Sequence, residues 1–187
     1  MSHPALIVID VQQDYFAGGL MPLENPDAAV QQINRLLAHF RAQGWPAIQI
    51  QHEMLSRPGR PAAFFIPGSP GMALHPDMQP EAGEALFIKH LPNSFAGTEL
   101  HGYLQQQEVR ELVVVGMMTH MCVDSTSRAA LDLGYSVRIA LDATACPALS
   151  FADQQIPAAQ VKTTVAAALH GTFAQVMSTD ELLQQLN

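Results

Sequence analysis

Residues 5–10 read Ala-Leu-Ile-Val-Ile-Asp, an unbroken apolar run that stops at a carboxylate. A strand open to water on one face alternates apolar and polar residues. A run that is apolar throughout belongs to a strand covered on both faces, as in a parallel sheet between helix layers. Residues 112–115, Leu-Val-Val-Val closed by Gly116, carry the same signature. Outward from these two, strand and helix signals alternate. Asn25 and Pro26 suit an N-cap and first helical position, Ala29, Ile33, Leu36, Leu37 and Phe40 follow at helical spacing, and Gly44 closes the segment. Further strands are expected at 46–50 (ending near His52), 85–88, 136–141 and 172–177. Further helices are expected from Thr98 to about Gln107, from Met121 to Leu133 and from Asp153 to His170, and Ser178-Thr-Asp-Glu181 is a capping box for a short last helix. The alternation, without repeat or linker, indicates the α/β class: one domain over residues 1–187, with an open, mostly parallel six-stranded sheet and helices on both faces.

Residues 53–84 break the pattern. Six prolines and four glycines interrupt them and no period survives, yet Phe64, Phe65, Ile66, Met72 and Leu74 give the segment apolar anchors. A long packed loop is expected, and such loops in compact domains are usually functional.

Composition excludes several classes. The formal charge of −8, from nine Lys+Arg and 17 Asp+Glu, argues against nucleic-acid or acidic-membrane partners. No apolar run reaches membrane-spanning length, and the N-terminal residues lack the marks of a secretory signal. Two cysteines without an export signal are expected to be reduced, in a cytoplasmic protein. Asp10-Val-Gln-Gln-Asp after the first strand is neither a dinucleotide fingerprint nor a phosphate loop, and no Gly-x-Ser-x-Gly elbow occurs, so no nucleotide cofactor is expected.

In open α/β sheets ligands bind outside the carboxyl ends of the strands. Three reactive residues arrive there from separate segments. Asp10 ends the first strand, Lys89 follows the third, and Cys122 opens the helix after the fourth. At a helix N-terminus a thiol is expected to ionise more easily and to act as nucleophile; the bland alternative is a small core residue. Lys89 is one of only two lysines and directly follows an apolar strand, so it suits stabilising a thiolate better than a solvated surface site; otherwise its stem packs while the head reaches water. Asp10 must be paired or hydrogen-bonded, either as a proton carrier or as a cap for loop N–H groups. Asp14 fits the capping role, and Cys146 beside Pro147 is expected to pack. His52 ends the second strand and is expected to enter the crevice, while His90 and His120 adjoin candidate residues but point away from them.

ALIVIDVQQDY (5–15), FIKHLPNSFAGTEL (87–100) and VVVGMMTHMCVDSTSRAALDLGY (113–135) closely resemble the three signature segments of the isochorismatase-like cysteine hydrolases. That superfamily includes nicotinamidases, carbamoylsarcosine amidases, ureidoacrylate and biuret hydrolases, and isochorismatases. The resemblance covers residues 5–177. It implies a Rossmann-like three-layer α/β/α fold, an Asp10–Lys89–Cys122 triad, a cis peptide between Met117 and Met118, and an oxyanion hole from the N–H groups of Met118 and Cys122. It further implies that Tyr15 and Phe95 lie at the substrate and that the protein forms a homodimer or homotetramer. Nicotinamidases carry Asp-x-His after strand two among their metal ligands; here the stretch reads His52-Glu53-Met54, so no metal is expected. Isochorismatases generally lack the cysteine. Retention of Cys122 therefore favours hydrolysis of a small amide, ureide or related C–N bond through a thioester. The alternatives are vinyl-ether hydrolysis and a non-catalytic scaffold.

Overall fold

The computed structural model describes residues 3–186; the ends of the expected 1–187 domain, residues 1–2 and 187, lie outside the described residues. Six strands form one sheet: β1 (Ala5–Ile9), β2 (Ala47–His52), β3 (Ala85–Lys89), β4 (Glu111–Met117), β5 (Ser136–Ala145) and, after a two-stranded hairpin of β6 (Leu149–Phe151) and β7 (Gln154–Ile156), β8 (Gln175–Met177). The order is β3-β2-β1-β4-β5-β8 and every pairing is parallel. The expected α/β class and six-stranded sheet are thus present. The order reverses direction beside β1, between β2 and β4, which is where such a sheet opens a crevice.

β1 is central, and all five of its residues are fully buried. Its side chains serve two cores by the period-two rule. Leu6 and Val8 pack with Val30, Ile33, Leu37 and Phe40 of α1 (Pro26–Gln43) on one face. Ala5, Ile7 and Ile9 pack on the other with Leu100 and Leu104 of α2 (Leu100–Gln106) and Ala130 of α3 (Asp124–Asp132). Two further helices, α4 (Ala158–Leu169) and α5 (Thr179–Leu186), complete the layers. Gly116 sits in β4 at φ 111, where an added Cβ would strike the backbone of Ile9. Glycine is what lets β4 and β1 approach beside the crevice.

Some expectations need correction. A helix from Asp153 was expected, but residues 149–156 form the β6–β7 hairpin, turning at Ala152 with φ 49. Pro157 disfavours helical backbone at Ile156, so α4 begins only at Ala158. The last strand starts at Gln175 rather than at 172, β4 runs past Gly116 to Met117, and β5 runs past Leu141 to Ala145. Asn25 occupies the N-cap of α1 at φ 52, but its side chain makes no capping bond. The capping box is as read: Glu181 accepts from the Ser178 N–H and hydroxyl at 2.8 Å.

The segment between β2 and β3 is irregular but anchored. Gln13 N–H donates to Ala73 O and His75 N–H to Val11 O, at 2.9 and 2.8 Å. Phe65 and Met78 are fully buried. Among the described residues no helix is long and apolar enough to cross a membrane.

Candidate active site

The carboxyl ends of β1, β2 and β3 deliver three side chains to one point. In the parallel register His52 pairs with Lys89, so both project from the same face, and Lys89 Nζ lies 2.8 Å from His52 Nδ1. Asp10 follows β1 with its backbone at φ 52, a conformation aspartate tolerates better than β-branched residues. Its N–H still donates to Ile50 O at 2.9 Å. Lys89 Nζ approaches Asp10 Oδ2 to 2.7 Å and donates to Cys122 Sγ at 3.3 Å. The sequence-selected Asp10, Lys89, Cys122 and His52 therefore meet. Asp10 and Lys89 are fully buried and Cys122 is 6 % exposed.

The charges of the cluster follow from this packing. Burial pulls the Lys89 pKa down, but Asp10 and Cys122 together outweigh it and raise it, favouring the ammonium. Burial raises the Asp10 carboxyl even against that ammonium. The Lys89–Asp10 contact is close but poorly angled, so neither carboxylate oxygen has a well-directed donor among the described residues. Asp10 is thus primed to accept a proton. Burial, then the Lys89 charge, lowers His52 to about 3, so its imidazole is neutral and Nδ1 accepts from Lys89.

Cys122 departs from expectation. It lies in a π-helical turn, Thr119–Val123, ahead of α3, and burial followed by the neighbouring Asp10 charge pushes its thiol well above the ordinary value, outweighing Lys89. Its proton is held more tightly than in a free thiol, and Asp10 stands in the same cluster to accept it. The Met117–Met118 peptide preceding this turn is cis.

Above the cluster opens a cavity of about 230 Å³, with Cys122, His52 and Tyr15 on its floor side and Met54, Leu55, Arg57, Arg60, Pro61, Phe64, His90, Leu91, Pro92 and Met121 around it. Tyr15 is held edge-on to Phe65 at 4.6 Å between ring centroids. Phe95, expected at the substrate, does not line this cavity; it stacks on Tyr135 at 5.9 Å and 12°. His90 sits at the mouth, its Nδ1 3.0 Å from Glu53 O. Cys146 packs, with its Sγ donating to Ala158 O at 3.6 Å.

Two polar residues brace the site. Asp14 has the structural role expected of it: Oδ1 accepts from Leu20 N–H at 3.1 Å and Oδ2 from Phe65 N–H at 2.6 Å. Gln12, which the sequence did not single out, donates to His52 O and Met72 O and accepts from His52 N–H, fastening the end of β2 to the long loop. Its only sequence signal is an amide three residues beyond a buried strand.

Asp10, His52 and Cys122 each offer a metal-ligating atom, and these atoms lie within 4.8 Å of one another. The Lys89 ammonium already contacts all three residues. A divalent ion there would face a buried like charge at close range, so the donor set does not suit a metal. Met54, where the nicotinamidase pattern has histidine, packs against the apolar core instead.

Comparison with known proteins gives a consistent picture. The family model described as isochorismatase domain matches residues 4–181. The chain is 43% identical over 180 residues to the uncharacterized isochorismatase family protein YddQ of Bacillus subtilis (strain 168), covering 96% of this chain and 98% of that one. It is 30% identical over 176 residues to the nicotinamidase of Escherichia coli (strain K12), covering 76% and 83%. The crystal structure of an isochorismatase from Pseudomonas putida KT2440 superposes with a TM-score of 0.88 at 38% identity, covering 96% of this chain and 90% of that one.

Proposed function

We propose that this chain, which belongs to the isochorismatase family of hydrolases, hydrolyses the C–N bond of a small amide or ureide through a thioester on Cys122. The observation that carries this reading is the buried contact of the Lys89 ammonium with both Asp10 Oδ2 (2.7 Å) and Cys122 Sγ (3.3 Å). Cys122 Sγ attacks the substrate carbonyl carbon while its proton passes to Asp10. As negative charge leaves the carboxylate and builds at the sulfur and the carbonyl oxygen, the fixed ammonium of Lys89 stabilises it at both ends of the transfer. The Met118 and Cys122 backbone N–H groups take the oxyanion. Asp10 then protonates the departing nitrogen, the C–N bond breaks, and the acyl group remains on sulfur. Water adds to the thioester, giving a proton to Asp10, and collapse of the adduct releases the acid and restores the thiol. Neutral His52 orients Lys89 by accepting from it, and Tyr15 walls the substrate cavity. Similarity to a nicotinamidase supports amide hydrolysis over vinyl-ether cleavage.

The same proposal takes the chain as a single domain acting without cofactor or metal on a small molecule, as a cytoplasmic homo-oligomer. The test is a panel of small amides and ureides with ammonia detection, run on wild type, Cys122→Ala and Asp10→Asn. Release by wild type and its loss in both variants supports the reading. Hydrolysis of any panel member by Cys122→Ala at the wild-type rate overturns it.

A further inference from the structure

Resting on that reading, we propose that Arg57 and Arg60 form an anion clamp at the mouth of the cavity, and that the substrate is an amide or ureide bearing a carboxylate remote from the scissile bond. Residues 57–60, Arg-Pro-Gly-Arg, make a tight reversal in which Arg57 N–H donates to Arg60 O at 3.0 Å and Arg60 N–H to Arg57 O at 2.9 Å. Pro58 is followed by Gly59 at φ 72, the sequence and backbone that a type II turn requires. Because the two arginines are an antiparallel bridge pair, their side chains leave the same face of the turn. Both line the cavity that Cys122 lines. The turn is pinned: Ala62 N–H donates to Ser56 Oγ at 3.1 Å, and Phe65 N–H is held by buried Asp14.

Two like charges on directly opposite residues repel each other, and no ion pair offsets them among the described residues. Arg35, Arg41, Arg128 and Arg138 each have an acidic partner, whereas Arg57 and Arg60, like Arg110, make no ion pair among the described residues. No lining residue carries a carboxylate; a carboxylate beside the lining is that of Glu53, 3.6 Å from His90. In a chain of net charge −8 with only nine basic residues, two unpaired guanidinium groups at one mouth make that mouth selectively cationic. Paired guanidinium forks match the planar, bidentate geometry of a carboxylate. Leu55, Phe64 and Leu91 line the same cavity and suit a short apolar spacer between the carboxylate and the scissile carbonyl.

The test compares alkylation of Cys122 by N-iodoacetyl-4-aminobutyrate and by its uncharged carboxamide at pH 8.5, read by mass spectrometry of the Cys122 peptide, with glutathione as reference. The reagents differ chiefly in the carboxylate. Relative to glutathione, the wild-type carboxylate-to-carboxamide rate ratio is expected to be raised about tenfold, the worth of one charge-assisted pair. Arg57→Gln/Arg60→Gln should bring the ratio to the glutathione value, while Arg57→Lys/Arg60→Lys should keep most of the preference. Succinate should slow the carboxylate reagent at lower concentration than inorganic phosphate does. An unchanged ratio in the glutamine variant, with Cys122 still alkylated, overturns the clamp and leaves the cysteine mechanism standing. Protection by phosphate but not succinate overturns the carboxylate assignment. Failure of both reagents to alkylate Cys122 removes the clamp and the mechanism together.

Discussion

Replacing Lys89 by methionine removes the one positive charge facing a fully buried carboxylate. At 2.7 Å and an effective dielectric constant of 20, the lost attraction is about 6 kcal/mol. Asp10 would not remain ionised against such a loss; it would take up a proton. From the ordinary value of 3.8, holding that carboxyl protonated at pH 7 costs about 4 kcal/mol. Lys89→Met is therefore expected to be destabilised by about 4 kcal/mol at pH 7, a drop in Tm of roughly 8–16 °C for a chain of this size. The sign of its pH dependence is diagnostic. The folded variant binds a proton at Asp10 that the unfolded chain releases above 3.8, so lowering the pH to 5 should return more than half of the loss. Asp10→Asn/Lys89→Met carries neither charge and should recover most of the stability. The assay is urea denaturation of wild type, both single variants and the double variant at pH 7 and pH 5. A Lys89→Met midpoint equal to wild type at pH 7, or a double variant destabilised by the sum of the singles, would refute the reasoning.

Two further predictions follow from the same cluster. Between pH 6.5 and about 3 the unfolded His52 imidazole gains a proton that the native one refuses. Stability from this group is therefore complete above 6.5 and lost on acidification, at up to about 1.4 kcal/mol per pH unit. His52→Asn should show a shallower acid loss than wild type in urea denaturation between pH 7 and 5, and an identical slope would contradict the assignment. With Lys89 among the three ligand atoms that cluster in the described residues, the proposed amide hydrolysis should survive dialysis against EDTA. Loss of activity, restored by zinc or manganese, would contradict this.

What the sequence made legible was the part governed by local rules. β1 and β4 stand out because both faces are covered, and Asp10 and Lys89 because a charge ending an apolar strand needs a partner. The β6–β7 hairpin was hidden because its strands are three residues long and its turn holds no glycine. The direction of the Cys122 shift was hidden because it depends on burial and on Asp10, which arrives from 112 residues earlier in the chain; the helix N-terminus pointed the other way. Phe95 follows Lys89 closely in sequence but turns to Tyr135 instead of the cavity. Arg57 and Arg60 reach the cavity of Cys122 only through the folding of the long loop, whose irregular backbone carries no periodic signal.

The central claim is a covalent acyl group on Cys122. Acid quenching during turnover of a panel amide, followed by intact and peptide mass spectrometry, reads it directly. The expected result is a mass increase equal to the acyl group, located on Cys122, removed by hydroxylamine, and absent in Cys122→Ala, which releases no ammonia. Ammonia release by Cys122→Ala at the wild-type rate, with no adduct on the wild-type enzyme, would contradict the account.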